Sequence, residues 1–149
     1  MSATVISGFL SDAVKLTKIK DHSTAATSEV SSDSVDMLGY DGALFFSSFG
    51  TADATNSLKL QQSSDDASTD AYSDLEGTSV ASGTSDEDVW IDITQPGKRY
   101  LKLIATRGAS STLESMWVIQ YKARALPVDN TTSGTIVGEQ FNGPAEGTA

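Results

Sequence analysis

A chain of 149 residues with 38% hydrophobic side chains is long enough for one domain that buries roughly 68–70% of its unfolded surface. It has no cysteine, which excludes disulfides, thiolate metal centres and a cysteine nucleophile. Its formal net charge of −10 argues against a polyanionic partner such as DNA or RNA.

That charge is unevenly spread. Residues 21–97 hold fifteen acids against the single base Lys59, whereas residues 98–124 hold six bases and only Glu114. The bases Lys98, Lys102, Lys122 and Arg124 fall on predicted strands, where the simplest reading is a solvated sheet face. No apolar run approaches the ~18 residues needed to cross a bilayer, so no membrane segment is expected. The opening Met1-Ser2-Ala3-Thr4-Val5 lacks the basic and apolar regions of a secretory signal.

Residues 1–12 read as an N-terminal arm or short edge strand, with Phe9-Leu10 its apolar pair. A domain is expected over 13–126. Its first strand opens at Ala13, where Val14, Leu16 and Lys18 alternate with Lys15 and Thr17. Ile19 breaks that phase, which predicts a bulge or the end of the strand near Lys18. Residues 21–34 form a polar connector. In the run from Ala43 to Gly50, Ala43, Phe45, Ser47 and Phe49 share one face while Leu44 and Phe46 share the other. Apolarity on both faces predicts a central strand, covered by a second sheet on one side and by an arm or neighbour on the other. Leu58 and Leu60 alternate with Lys59 and Gln61 in the next strand.

Residues 63–88 are strongly polar, with a short helical turn expected near Ala71–Leu75 and a brief strand over Thr78–Ala81. Val89–Thr94 and Lys98–Thr106 then alternate with period two around Gln95-Pro96-Gly97. Proline followed by glycine suits the centre of a type II turn, so the two runs read as a hairpin. Glu114–Arg124 reads as a third strand of the same sheet. Leu126-Pro127 ends the domain, and residues 127–149 form a C-terminal arm whose apolar anchors are Ile136, Val137 and Phe141. These runs make about seven or eight strands at hairpin-like spacing, an all-β sandwich or jelly roll with extended arms.

Catalytic chemistry finds little support. His22, the only histidine, sits in a predicted loop. Serine and aspartate are so abundant that a paper triad has no weight. The acidic groups Asp65-Asp66, Asp70/Asp74/Glu76 and Asp86-Glu87-Asp88 lack the spacing of a calcium loop and read as solvated acids. Gly39-Tyr40-Asp41-Gly42 has neither the lysine nor the following helix of a phosphate loop. Asn130-Thr131-Thr132 fits the glycosylation pattern, which has meaning only on a secretory route. Trp90 and Trp117 are the aromatic platforms a sugar-binding cleft would need, yet each lies within an apolar strand, where core or sheet-face packing is the simpler role. The sequence therefore predicts no enzyme, no cofactor and no metal.

Several stretches do resemble a known family. They are Val35-Asp36-Met37-Leu38-Gly39-Tyr40-Asp41-Gly42, Phe45 to Thr51, Leu58-Lys59-Leu60-Gln61-Gln62, Leu75-Glu76-Gly77-Thr78-Ser79-Val80 and Lys98-Arg99-Tyr100. Arg107-Gly108, Ile119 to Arg124, Pro127-Val128 and the terminal Pro144-Ala145-Glu146-Gly147-Thr148-Ala149 extend the set. Over about 35–149 the chain resembles small head proteins of tailed bacteriophages that decorate or cement the capsid. The resemblance implies a virion structural protein on the capsid's outer surface, with the major capsid protein as partner and no catalytic residues. An acidic domain with polar arms fits that location, and a homo-oligomer, a trimer on local threefold axes, is expected. The partner-binding residues expected on the arms are Phe9, Leu10, Ile136, Val137 and Phe141, apolar groups stranded in polar segments. Lys98 and Arg99 are expected to face acidic loops of a neighbouring copy. The alternative is a β-sandwich receptor- or glycan-binding module of a phage tail or cell surface.

Overall fold

The computed structural model describes residues 8–130 and 136–149. Twelve strands and one 3₁₀ turn, Leu10–Asp12, make up its regular structure. The strands are β1 (Lys15–Lys20), β2 (Ser23–Ala26), β3 (Val30–Ser31), β4 (Val35–Asp36), β5 (Tyr40–Phe49) and β6 (Ser57–Ser63). They continue as β7 (Ser73–Asp74), β8 (Val80–Ala81), β9 (Glu87–Thr94), β10 (Tyr100–Thr106), β11 (Ser111–Leu113) and β12 (Met116–Ala123).

Two antiparallel sheets carry the fold. One has the order β1-β12-β5-β9; the other has the order β3-β10-β6-β7, with β4 also on β10 and β8 also on β6. A small ribbon of β11 and β2 stands beside them. When β3 with β4 and β7 with β8 are each taken as one interrupted strand, eight strands remain in the interleaved order of a jelly roll. The chain is an all-β sandwich, and the count of eight agrees with the strand runs in the sequence.

Period-two patterning explains the interior. Ala43, Phe45 and Phe49 of β5, Val89 and Ile91 of β9 and Met116 and Val118 of β12 meet Leu58 and Leu60 of β6 and Leu101 and Leu103 of β10 in one core. The bulge expected in β1 is present as a register shift between Lys18 and Lys20, and it turns Ile19 into the core. Strand β5 is central, paired with β12 on one side and β9 on the other.

Three expectations are corrected. Strands β9 and β10 do not form a hairpin: β9 pairs with β5 in one sheet and β10 with β6 in the other. Residues 95–97 cross between the layers, and the positive φ falls on Gln95 (50°), whose N–H bonds the Asp41 carbonyl, while Gly97 is not among the left-handed residues. A crossing link has to redirect the chain as it leaves β9, one residue before the proline, which explains why the Pro-Gly signal misleads. Strand β12 accordingly shares a sheet with β9 and not with β10. The turn expected at 71–75 is instead the extended β7, which pairs Asp74 with Gln61 and Ser73 with Gln62.

A buried polar pin holds the loops at one end. Arg107 is buried, yet its guanidinium meets no carboxylate; it donates to the carbonyls of Ser28, Thr24 and Ser111 at 2.8–2.9 Å. Asn56, also buried, accepts from Gly108 N–H at 2.7 Å and donates to Ser111 Oγ at 2.9 Å. Buried polar groups persist when their hydrogen bonds are made, and these fix the route from β10 into β11.

Candidate docking surface

The terminal segments meet on β1. Asn130 makes the junction: its side-chain oxygen accepts from Leu16 N–H at 2.9 Å, and its amide donates to the carbonyls of Ser11 and Val14. Val128 N–H bonds the Asp12 carbonyl at 2.7 Å, Lys15 Nζ reaches the Asp129 carbonyl at 2.6 Å, and Gln140 reaches Ser11 and Asp12. These bonds satisfy the Leu16 N–H of β1 and the carbonyls of Ser11, Asp12 and Val14 just before it.

The expected arm residues come together only in part. Ile136 and Val137 line a cleft of about 440 Å³ with Leu16, Val128 and Asn130. Ile136 is half-buried there, whereas Val137 is 88% exposed. Phe9 is half-buried at the start of the 3₁₀ turn, where its carbonyl accepts from Asp12 N–H. Leu10 is 70% exposed and Phe141 66% exposed. Residues 1–7 of the expected arm lie outside the described residues.

Lys98 and Arg99 lie elsewhere, in a second cleft with Leu38, Tyr40, Pro96 and Arg124. Both are paired within the chain. Arg99 grips Asp36 with two bonds of 2.8 Å, which lowers the Asp36 pKa and raises that of the guanidinium. Lys98 bonds Asp70 at 2.7 Å; this bond, with two from Ser64, holds the Asp70 carboxyl at about 2. Lys59 pairs with Asp74 at 2.9 Å, and the Lys102 ammonium stands over the Tyr72 ring at 4.5 Å. Lys59, Lys98 and Lys102 thus face the acidic loop 63–78 of their own chain, and Arg99 faces β4.

The surface that sequence reasoning missed as a unit is the outer face of the β1-β12-β5-β9 sheet. Register sets its side chains in rows. Lys18, Trp117, Phe46 and Trp90 form one row across all four strands, and Leu16, Ile119, Leu44 and Asp92 form the next. Trp90 is 65% exposed, and with Leu44, Phe46 and Asp92 it lines a shallow depression. Tyr121 closes one end of the face. Its ring lies over Gly42, where a Cβ would collide with it, and its hydroxyl donates to Asp92. Desolvation, followed by that contact, pushes the Tyr121 hydroxyl up to about 12. The alternation in β5 and the two tryptophans were visible in the sequence, but the strand order that lines them up was not.

Other candidate groups stay apart from these surfaces. His22 lies 3.5 Å from Glu114, both half-exposed. Among the described residues no group of three His, Cys, Asp or Glu side chains is placed to hold a metal ion, and no helix is long and apolar enough to cross a membrane.

No protein-family model matches the chain, and no curated protein matches it. Among solved structures the chain is similar to the coat protein of Tobacco streak virus, with 11% identity over 89% of this chain and 100% of that one, at a TM-score of 0.39. A likeness at that level bears on neither the partner nor the activity of this chain.

Proposed function

We propose that this protein is a non-catalytic structural component of a virion, a decoration protein that binds the outer surface of a tailed-bacteriophage capsid and stabilises it. The observation that carries the reading is the junction on β1. Asn130 and Val128 hold the start of the C-terminal arm against residues 11–16, while Leu10, Val137 and Phe141 remain in solvent. Apolar side chains displayed from anchored, otherwise polar segments are suited to fill pockets on a partner. The acidic domain beside them would keep clear of packaged nucleic acid, which favours the outside of the shell. Stabilisation then follows from linkage, since a ligand of the assembled shell that has less affinity for free subunits shifts the balance toward the shell.

Co-sedimentation with capsids lacking the protein tests the reading. The purified chain is expected to pellet with them and to raise their heat-rupture temperature. The double variant Val137→Asp/Phe141→Asp is expected to bind at least tenfold more weakly while keeping the β-sheet circular dichroism of the parent. Full-affinity binding by that variant would remove the arm from the interface. A parent chain that ignores capsids but adheres to host cells would replace the reading altogether.

A second reading, a glycan-binding module, has one observation in its favour: Trp90 presents its ring beside Asp92 in a shallow depression. It predicts binding on a sugar array that Trp90→Ala abolishes.

A further inference from the structure

The outer face of the β1-β12-β5-β9 sheet carries a charge pattern as well as an apolar one. Its β1 edge carries the cation Lys18, and its β9 edge is acidic, with Asp88 and Asp92 on the outer side at alternate positions around Trp90. Between the edges lie Leu16, Trp117, Ile119, Leu44 and Phe46.

We infer that this face binds a second copy of the same chain, sheet against sheet, about a two-fold axis parallel to the strands. That axis lays β1 of one copy over β9 of the other and β12 over β5. In the first row Lys18 then meets the partner copy's Trp90 ring, a cation–π arrangement, and Trp117 meets Phe46. In the second row Ile119 meets Leu44. Lys18 also comes within reach of Asp88 and Asp92 of the other copy, because two residues along a strand span about 7 Å. Each of these contacts occurs twice, as an isologous interface requires.

Lys18 already bonds Asp21 at 2.7 Å, which holds the ammonium at the rim and leaves two donors unspent. The other in-plane axis, perpendicular to the strands, would set β9 on β9 and oppose acids to acids. Edge pairing through β1 would compete with Asn130, whose side-chain oxygen already takes the Leu16 N–H.

Size agrees with a reversible contact. Four strands about 4.8 Å apart and about eight residues long cover roughly 500 Å² on each copy, near the lower limit for a specific interface. The C-terminal arm abuts this face only at Leu16, and the contacts through Trp90, Phe46, Trp117 and Ile119 involve no arm residue.

Sedimentation of the full chain over a range of concentrations tests it. The expected result is a reversible monomer–dimer equilibrium. Trp90→Ala and, separately, Lys18→Glu and Asp88→Lys should each weaken it at least fivefold, with circular dichroism unchanged. The combined variant Lys18→Glu/Asp88→Lys restores opposite charges across the contact and should recover most of the loss, which a merely structural role would not do. A monomer at every concentration, a trimer mass, single variants without effect, or a combined variant weaker than either single one would each overturn the proposal.

Discussion

The outer faces of the two sheets solve the same problem in opposite ways. On the β3-β10-β6-β7 sheet, Lys59, Gln61 and Lys102 point outward, and the loop 63–78 lies over them with Asp74 and Tyr72 as partners. That face is finished within the chain. On the β1-β12-β5-β9 sheet, the outward groups are Leu16, Leu44, Phe46, Trp90, Trp117 and Ile119, and Trp90 stands mostly in solvent. The contrast shows where this molecule spends its polar residues. An acidic chain with ample serine and aspartate still leaves the outer face of one sheet apolar, the feature on which the proposed self-association rests.

The sharpest way to break the comparison is to truncate neighbouring residues of β5 on opposite faces. Phe45→Ala empties a fully buried site and should cost about 3–5 kcal/mol. Phe46→Ala, one residue on, should cost less than about 1.5 kcal/mol in the monomer, because its site is partly open to water already. Urea midpoints at low protein concentration measure both; equal losses would mean that the outer face is as closed as the core. Removing the polar pin should come next in size. Arg107→Ala leaves the carbonyls of Thr24 and Ser111 without their donor and should cost about 2–4 kcal/mol, with the loss carried into both the β2–β3 region and β11.

Acid titration probes the finished face. Asp70, at about 2 in the folded chain, lies below the ordinary aspartate value, so its contribution is complete above that value and disappears as pH falls toward 2. Asp70→Asn should therefore flatten the stability loss between about pH 4 and pH 2 and leave the slope at neutral pH unchanged, as followed by thermal melts. The smallest effect belongs to Lys59→Ala. Its pair with Asp74 is solvent-exposed, so the loss should stay under about 1 kcal/mol and shrink further in high salt.

Much of the architecture was legible because it rests on alternation. The faces of β5, β6 and β10, the bulge in β1 and the brief strand at Val80–Ala81 all follow from side-chain periodicity, which is local information. What was not legible depends on which strand lies beside which. Pro96-Gly97 has the composition of a tight turn whether the chain folds back within one sheet or crosses to the other, and only the tertiary partners β5 and β6 decide between these. Lys98 and Arg99 stood out as unpaired cations in sequence because Asp70 and Asp36 lie far away along the chain. Arg107 gave no signal at all, since its acceptors are backbone carbonyls that every residue possesses. The apolar arm residues were visible by composition, and their exposure agrees for Leu10, Val137 and Phe141, while Phe9 and Ile136 are half-buried.

The Asn130 junction has a consequence for how the protein behaves when it is crowded. A sheet with an apolar face and two open sides is a template for fibre growth, because each side can recruit another strand. Here a side chain takes the place of a strand at the start of one side: Asn130 bonds the Leu16 N–H of β1 and the carbonyls of Ser11 and Val14 just before it. The opposite side, β9, carries Glu87, Asp88 and Asp92, whose mutual repulsion discourages a like strand from docking. Edge-to-edge growth is thereby disfavoured on both sides, by a capped Leu16 N–H on one and by charge on the other.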